Sequence, residues 1–225
     1  KLSQQRNLVL FTLLVVLGLV LIGCGTAQAS EDEIEQAWQT SAHADNESGA
    51  FTRWNDADPP EIPENCAKCH STDGSLDFYG VDGSEPGVVD APAPIGSVVE
   101  CVACHNDATL HKDSVVMPSG LEITGLGSEA RCMECHQGRE SKVSVDEAVA
   151  GAAVEDEDTV SEDLRFLNIH YYAAAATKYG TLAKGGYEYD GNSYDTFFAH
   201  VDGAESCVEC HSPHTLELDL ELCAT

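Results

Sequence analysis

Five residues, Cys66-Ala67-Lys68-Cys69-His70, set a pattern that returns at Cys101-Val102-Ala103-Cys104-His105, Cys132-Met133-Glu134-Cys135-His136 and Cys207-Val208-Glu209-Cys210-His211. The repeat consumes eight of the ten cysteines. Each copy reads as a covalent attachment site for a c-type haem. Two thiols separated by two residues can each form a thioether to one haem vinyl group, and the histidine that follows is held under the iron as its proximal ligand. Porphyrin, iron and peptide then form one rigid unit, and the chain must fold around four of them.

Two other uses of paired cysteines compete less well. Zinc ribbons and knuckles also employ CxxC pairs, but zinc has no need of a histidine directly after the second cysteine, and all four pairs have one. Disulfides in an exported protein would not repeat so short and uniform a loop.

Residues 1–29 read as an export signal, separate from the fold. Lys1 and Arg6 give a positive start, and Leu8 to Ile22 is an apolar run of fifteen residues, shorter than the roughly 18 of a spanning helix. Leu21-Ile22-Gly23-Cys24 resembles a lipobox, with Cys24 as the acylated first residue, while Ala27-Gln28-Ala29 is a cleavage site of the ordinary small-residue type. The lipobox is favoured because Cys24 stands at the end of the apolar run. Both routes predict an extracytoplasmic protein, in the periplasm or at the cell surface, where haem is attached to CxxCH; the first adds a lipid anchor in the membrane. At the other end, Leu222-Cys223-Ala224-Thr225 opens like another CxxCH. With a first residue of lysine, the expectation is a piece of a longer protein, with a fifth haem if Cys-His follows Thr225 and a lone Cys223 thiol otherwise.

Charge narrows the partners. Residues 1–23 hold Lys1 and Arg6 and no acid, so the exported part carries 39 acids against nine Lys and Arg, a formal charge of −30. Nucleic acid and anionic membrane surfaces are poor partners for it. Docking to a basic redox partner fits the charge, although most of it also suits a plain solubilising surface.

Three regions follow: the signal at 1–29, an N-terminal segment at 30–60 and a multihaem domain at 61–225. Glu31 to Ser41 is expected to form a short amphipathic helix with His43 just past it. Asp56-Ala57-Asp58-Pro59-Pro60-Glu61 breaks any helix before the first motif. Residues 71–100, rich in Gly, Asp and Pro, are expected to be loop. The third motif follows the second by only 31 residues, so haem faces must supply much of the apolar core. Ser144 to Asp158 reads as a loosely held helix or linker. Ser161 to Tyr179 is the clearest expected helix, with Ser161 as N-cap, Glu162 and Asp163 at its positive end and Gly180 closing it. Leu167, His170, Tyr171 and Ala174 would share a face. Gly185 to Asn192 reads as turn-rich, with a small hairpin as one option. Phe197-Phe198-Ala199-His200 places a histidine beside bulky apolar residues before the fourth motif. The fold class predicted is mainly α with extensive irregular structure and little or no β-sheet.

Nine histidines are present. His70, His105, His136 and His211 are proximal ligands, leaving His43, His111, His170, His200 and His214 for the far side of the irons. A low-spin electron carrier needs a second axial ligand on each iron, usually His or Met. His170, His200 and His43 are favoured over His111 and His214. The latter two lie close behind a proximal histidine and would serve a neighbouring haem rather than their own. Met133 is a spacer within its motif, and Met117 is a reserve ligand. So many histidines predict bis-His ligation and low potentials.

The CxxCH copies, the Trp38-x-x-Ser41-x-His43 element and Cys207-x-x-Cys210-His211-Ser212-Pro213-His214 resemble multihaem c-type cytochromes of the group that includes cytochrome c554, nitrite reductase and hydroxylamine oxidoreductase relatives. The resemblance runs from about residue 36 onward. It implies irregular folds with short helices and haems stacked in close pairs. Enzymes of that group keep one haem with an open distal position, in some members with lysine as proximal ligand. Here all four motifs end in histidine and spare histidines suffice to close every iron, which argues for a carrier. Tyr171 and Tyr172 stand where a catalytic tyrosine could be imagined, but core packing against haem is the expected role. The partners expected are other redox proteins, such as cytochromes or a membrane quinol oxidase or reductase, with a homo-oligomer or haem filament as a further option. The alternative reading is part of a multihaem oxidoreductase acting on nitrogen or sulfur oxyanions.

Overall fold

Short helices joined by irregular chain make up most of the protein, with two small antiparallel sheets. The structure, a computed structural model, describes residues 29–154, 156, 158–198 and 203–222. The chain divides after Gln36, and the larger unit, Ala37–Thr225, holds all four motifs. Cys24, His200 and Cys223 lie outside the described residues.

Helix α1 (Glu31–Gln39) forms where amphipathic spacing predicts it. Glu33 at its third position accepts from the Ser30 backbone at 2.8 Å, and Ser30 Oγ accepts from the Glu33 N–H at 3.3 Å, a reciprocal cap. In its last turn, Trp38 Nε1 donates to the Val99 carbonyl at 2.9 Å, and past its end Val99 N–H donates to the His43 carbonyl at 3.1 Å. Both peptide groups of Val99, just ahead of the second motif, thereby hold the segment carrying His43.

A one-turn helix, α2 (Gly49–Thr52), precedes β1 (Glu61–Ile62) and α3 (Glu64–His70), which is the first motif. The next helix, α4 (Thr72–Phe78), lies in a stretch expected to be loop. Ser71 ends one helix and begins the other: its hydroxyl donates to the Ala67 carbonyl at 3.0 Å and accepts from Gly74 N–H at 2.9 Å. Gly74, a poor helix residue, is tolerated because the two helices meet there: a Cβ would stand 2.4 Å from the Ala67 carbonyl carbon. Strand β2 (Ala93–Pro94) pairs with β1, and Ile62, Ala67 and Ala93 form a small core beneath the first motif.

The second motif is α5 (Cys101–Cys104), followed by α6 (Asp107–Leu110) with a capping box between Asn106 and Thr109. A hairpin then forms from β3 (Ser114–Val116) and β4 (Glu122–Thr124). Pro118-Ser119-Gly120 makes its turn, with Gly120 at φ 81°. The hairpin lies here, and residues 185–192 are irregular rather than a hairpin. Strand β3 packs on α7 (Glu129–His136), the third motif, where Val115, Met117, Leu126, Ala130 and Met133 build the second core. Met117, 2% exposed among these apolar side chains, is a core residue.

Helix α8 (Lys142–Ala152) starts after Ser141, whose N–H donates to Ser144 Oγ at 3.1 Å, and overlaps the stretch expected as helix or linker. The helix expected from Ser161 begins only at Ala174: α9 (Ala174–Ala183) is preceded by irregular chain and kinked at Gly180, whose φ of 45° breaks the helical run. The reason lies at His170 and Tyr172, with φ of 96° and 54°. That backbone cannot continue a right-handed helix. It is held by tertiary bonds, with Arg139 N–H donating to the Ile169 carbonyl at 3.0 Å. The fourth motif is α10 (Cys207–Cys210). Among the described residues, no helix is long and apolar enough to cross a membrane.

Candidate haem-binding sites

All four CxxCH motifs fold as a helical turn. In that geometry the first and second cysteines, three positions apart, share a face, and the histidine one position later stands beside them. Small or locally buried spacers permit it in the first two copies, where Ala67 is fully buried and Ala103 is 5% exposed.

Three of the four motif histidines have their Nδ1 against a main-chain carbonyl. His70 Nδ1 is 2.8 Å from Ala50 O, His136 Nδ1 is 3.0 Å from Tyr172 O, and His211 Nδ1 is 3.3 Å from Leu216 O. A carbonyl oxygen only accepts, so Nδ1 carries a proton, and in the neutral ring Nε2 keeps its lone pair for a metal. This orients a ligand ring in the way second-shell carbonyls do.

The spare histidines complete the picture. His170 faces His70 with ring centroids 6.0 Å apart, His214 faces His105 at 6.2 Å, and His43 faces His136 at 6.2 Å. Two imidazoles binding one metal from opposite sides, each nitrogen about 2 Å from it, have centroids about 6 Å apart. The three separations match that spacing, so each pair could hold a haem iron. His214, three residues behind His211, faces the second motif and not its own. His111 is exposed at the end of α6, and among the described residues it faces no motif histidine. His211 has no second histidine against it among the described residues; the remaining candidate, His200, lies outside them.

Among the described residues no group of three or more His, Cys, Asp and Glu side chains is placed to hold a metal ion. Haem brings four nitrogens of its own and needs only two from the protein. The eight described cysteines are free thiols, so each motif retains both groups required for thioethers.

The electrostatics follow from burial. His43 is pushed below its ordinary pKa by burial first and by His136 second. His70 is lowered by burial, against the Ala50 hydrogen bond, and His170 by burial and then Arg139 and Arg53. His105 is lowered by burial and by Arg131. Neutral imidazoles are ligands; imidazolium is not.

Sequence reasoning missed the cations of these sites. Arg53 and Arg139 act on both His170 and the Cys66 thiol, and Arg131 on Cys104 and His105. The signal was their scarcity, with eleven Lys and Arg against 39 acids. Arg131 Nη1 donates to the Cys104 carbonyl at 3.4 Å, while its Nε is buried without a partner. Arginines beside a haem can take its propionate carboxylates as bidentate partners. Tyr171 and Tyr172, expected in the core, are 77% and 84% exposed on the protein surface beside these pairs.

No family model matches the chain, and comparison with curated proteins and with solved structures gives no match.

Proposed function

We propose that this chain is a multihaem c-type cytochrome that transfers electrons through four covalently bound haems, outside the cytoplasm and anchored by lipid at Cys24. The haems attach at Cys66/Cys69, Cys101/Cys104, Cys132/Cys135 and Cys207/Cys210. Three irons take the bis-His pairs His70/His170, His105/His214 and His136/His43, and the fourth takes His211. The observation that carries the reading is the convergence of three CxxCH histidines on three distant spare histidines at one separation, 6.0–6.2 Å. Haem supplies the one-electron chemistry when bound. The protein's own residues fix the rings and, through the carbonyls on Nδ1 of His70, His136 and His211, leave Nε2 as the metal-binding nitrogen of the neutral ring. The acidic surface favours the oxidised, more positive iron and lowers the potentials. Its partners would be other cytochromes or a membrane quinol oxidase or reductase.

A second reading has a specific basis at His211. With His200 as its partner, every iron is closed and the chain is a carrier. With that position open, the fourth iron could bind a small oxyanion of nitrogen or sulfur, and the chain would be part of an oxidoreductase. The test is a pyridine haemochrome assay on protein matured with its haems, followed by carbon monoxide. About four c-type haems per chain with no response to carbon monoxide support the carrier. A carbon-monoxide-sensitive haem supports the enzyme, and no covalent haem removes both.

A further inference from the structure

We infer that the haem on the third motif is the hub of the set, in contact with each of the other three, so that electrons pass among them through it. The inference rests on the proposed haem attachment and adds an order in space.

Helix α7 is where the other motifs meet. Cys135 Sγ lies 3.8 Å from the Lys68 carbonyl of the first motif, and α7 packs directly on α3. Glu134, a spacer residue of the third motif and 3% exposed, accepts from Lys68 Nζ, a spacer of the first, at 3.0 Å. Its other oxygen is 3.0 Å from Lys112 Nζ, on the segment just behind the second motif. Toward the second motif itself, Arg131 donates to the Cys104 carbonyl. Toward the fourth, α7 packs on α10, and Glu129 holds Lys178 at 2.7 Å while that same ammonium donates to the Glu205 carbonyl, two residues before Cys207.

The thiols repeat the pattern. Cys69 lies beside Cys135, and Cys132 beside Cys207. Thioether carbons extend from these sulfurs to the porphyrin edge, so neighbouring thiols put neighbouring haem edges together.

The experiment is stepwise reduction of the holoprotein followed by NMR of the haem methyl groups, for wild type, His43→Met and His170→Met. Methionine raises the potential of the haem it ligates. With His43→Met the third haem should reduce first, and its electron should make each of the other three harder to reduce, by about threefold or more in equilibrium constant. With His170→Met the first haem should reduce first, and the third should respond most. Should any of the three other haems ignore His43→Met, the hub is wrong while four-haem attachment stands. If peptide mapping instead finds disulfides Cys69–Cys135 and Cys132–Cys207 and no haem, the underlying reading fails. Should the variants not mature, iron positions from anomalous scattering of wild-type crystals decide: the iron of His136 must lie next to all three others, and any other iron at the centre overturns the inference.

Discussion

His70 and His170, a hundred residues apart in the chain, face each other edge-on at 6.0 Å between ring centroids, with an interplanar angle of 79°. One ring is held by the Ala50 carbonyl. The other sits on a residue with φ of 96°, a conformation costly for a side chain with a Cβ and one that collects at functional sites. The pair makes a direct prediction. His170→Met should leave four haems attached, since no thioether is touched, and should raise the potential of one of them by on the order of 0.1 V, within the roughly 0.8 V that axial ligands span. Met117→Leu, a volume-conserving change in the apolar core, should leave all potentials within a small fraction of that shift. Spectroelectrochemical titration of both variants checks this; a Met117→Leu shift equal to that of His170→Met would reverse the ligand assignment.

Acid should act late on these sites. Burial lowers the pKa of His43 and His70 below the ordinary 6.5, and His105 and His170 move the same way. A base with a depressed folded pKa stabilises the fold fully above about pH 6.5, and the contribution drains away as pH falls toward the folded value. Above that range His43, His70, His105 and His170 are neutral and able to take an iron. The low-spin Soret band should hold steady from pH 8 through 6.5 and give way only in more acidic solution. A low-to-high-spin transition centred at pH 6.5 or above would contradict this.

The two halves of each site were legible to different degrees. CxxCH is read from local spacing because both cysteines and the histidine lie in one helical turn. Which spare histidine opposes which motif is settled over separations such as His43 to His136, where no local pattern reaches. His170 illustrates the conflict. Its neighbourhood has the caps and apolar spacing of a helix, yet the ring reaches His70 only from a left-handed backbone held by Arg139, so tertiary contacts override local propensity. Helix α4 was missed for the opposite reason: Gly74 reads as a loop residue when alone, and as a close-contact residue once Ala67 lies against it.

That contact can be tested by volume. A Cβ at Gly74 would lie 2.4 Å from the Ala67 carbonyl carbon and 2.5 Å from its Cβ, and backbone on both sides leaves nothing flexible to yield. Gly74→Ala should cost about 2–3 kcal/mol, the upper part of the usual overpacking range, by separating α4 from the first motif. Gly49→Ala meets nothing within 4 Å and should be neutral. Guanidinium unfolding of the two holoproteins provides the comparison, and equal midpoints would show that α3 and α4 are less tightly packed than described.

Glu134 is the buried charge on which the arrangement around α7 most depends. Its carboxylate is 4% exposed and meets Lys68 and Lys112, both at 3.0 Å, while Gln137 Nε2 adds a bond at 3.1 Å. Lys68 also lies 4.6 Å from the centre of the Phe78 ring, so its ammonium has left most of its water. Removing one partner from a buried pair typically costs about 3–5 kcal/mol because the other charge is stranded. Here the lysine side chains are 24% and 20% exposed and can turn to solvent, which brings the expected cost of Glu134→Gln down to about 2–3 kcal/mol. Glutamine keeps the shape and an acceptor oxygen, so the loss reports charge rather than a cavity. Adding Lys68→Met to Glu134→Gln should then cost less than the sum of the single changes, with a coupling of about 1–2 kcal/mol. Denaturant unfolding of the four members of that cycle measures it. A coupling near zero would mean that Lys68 is paired with water rather than with the third motif.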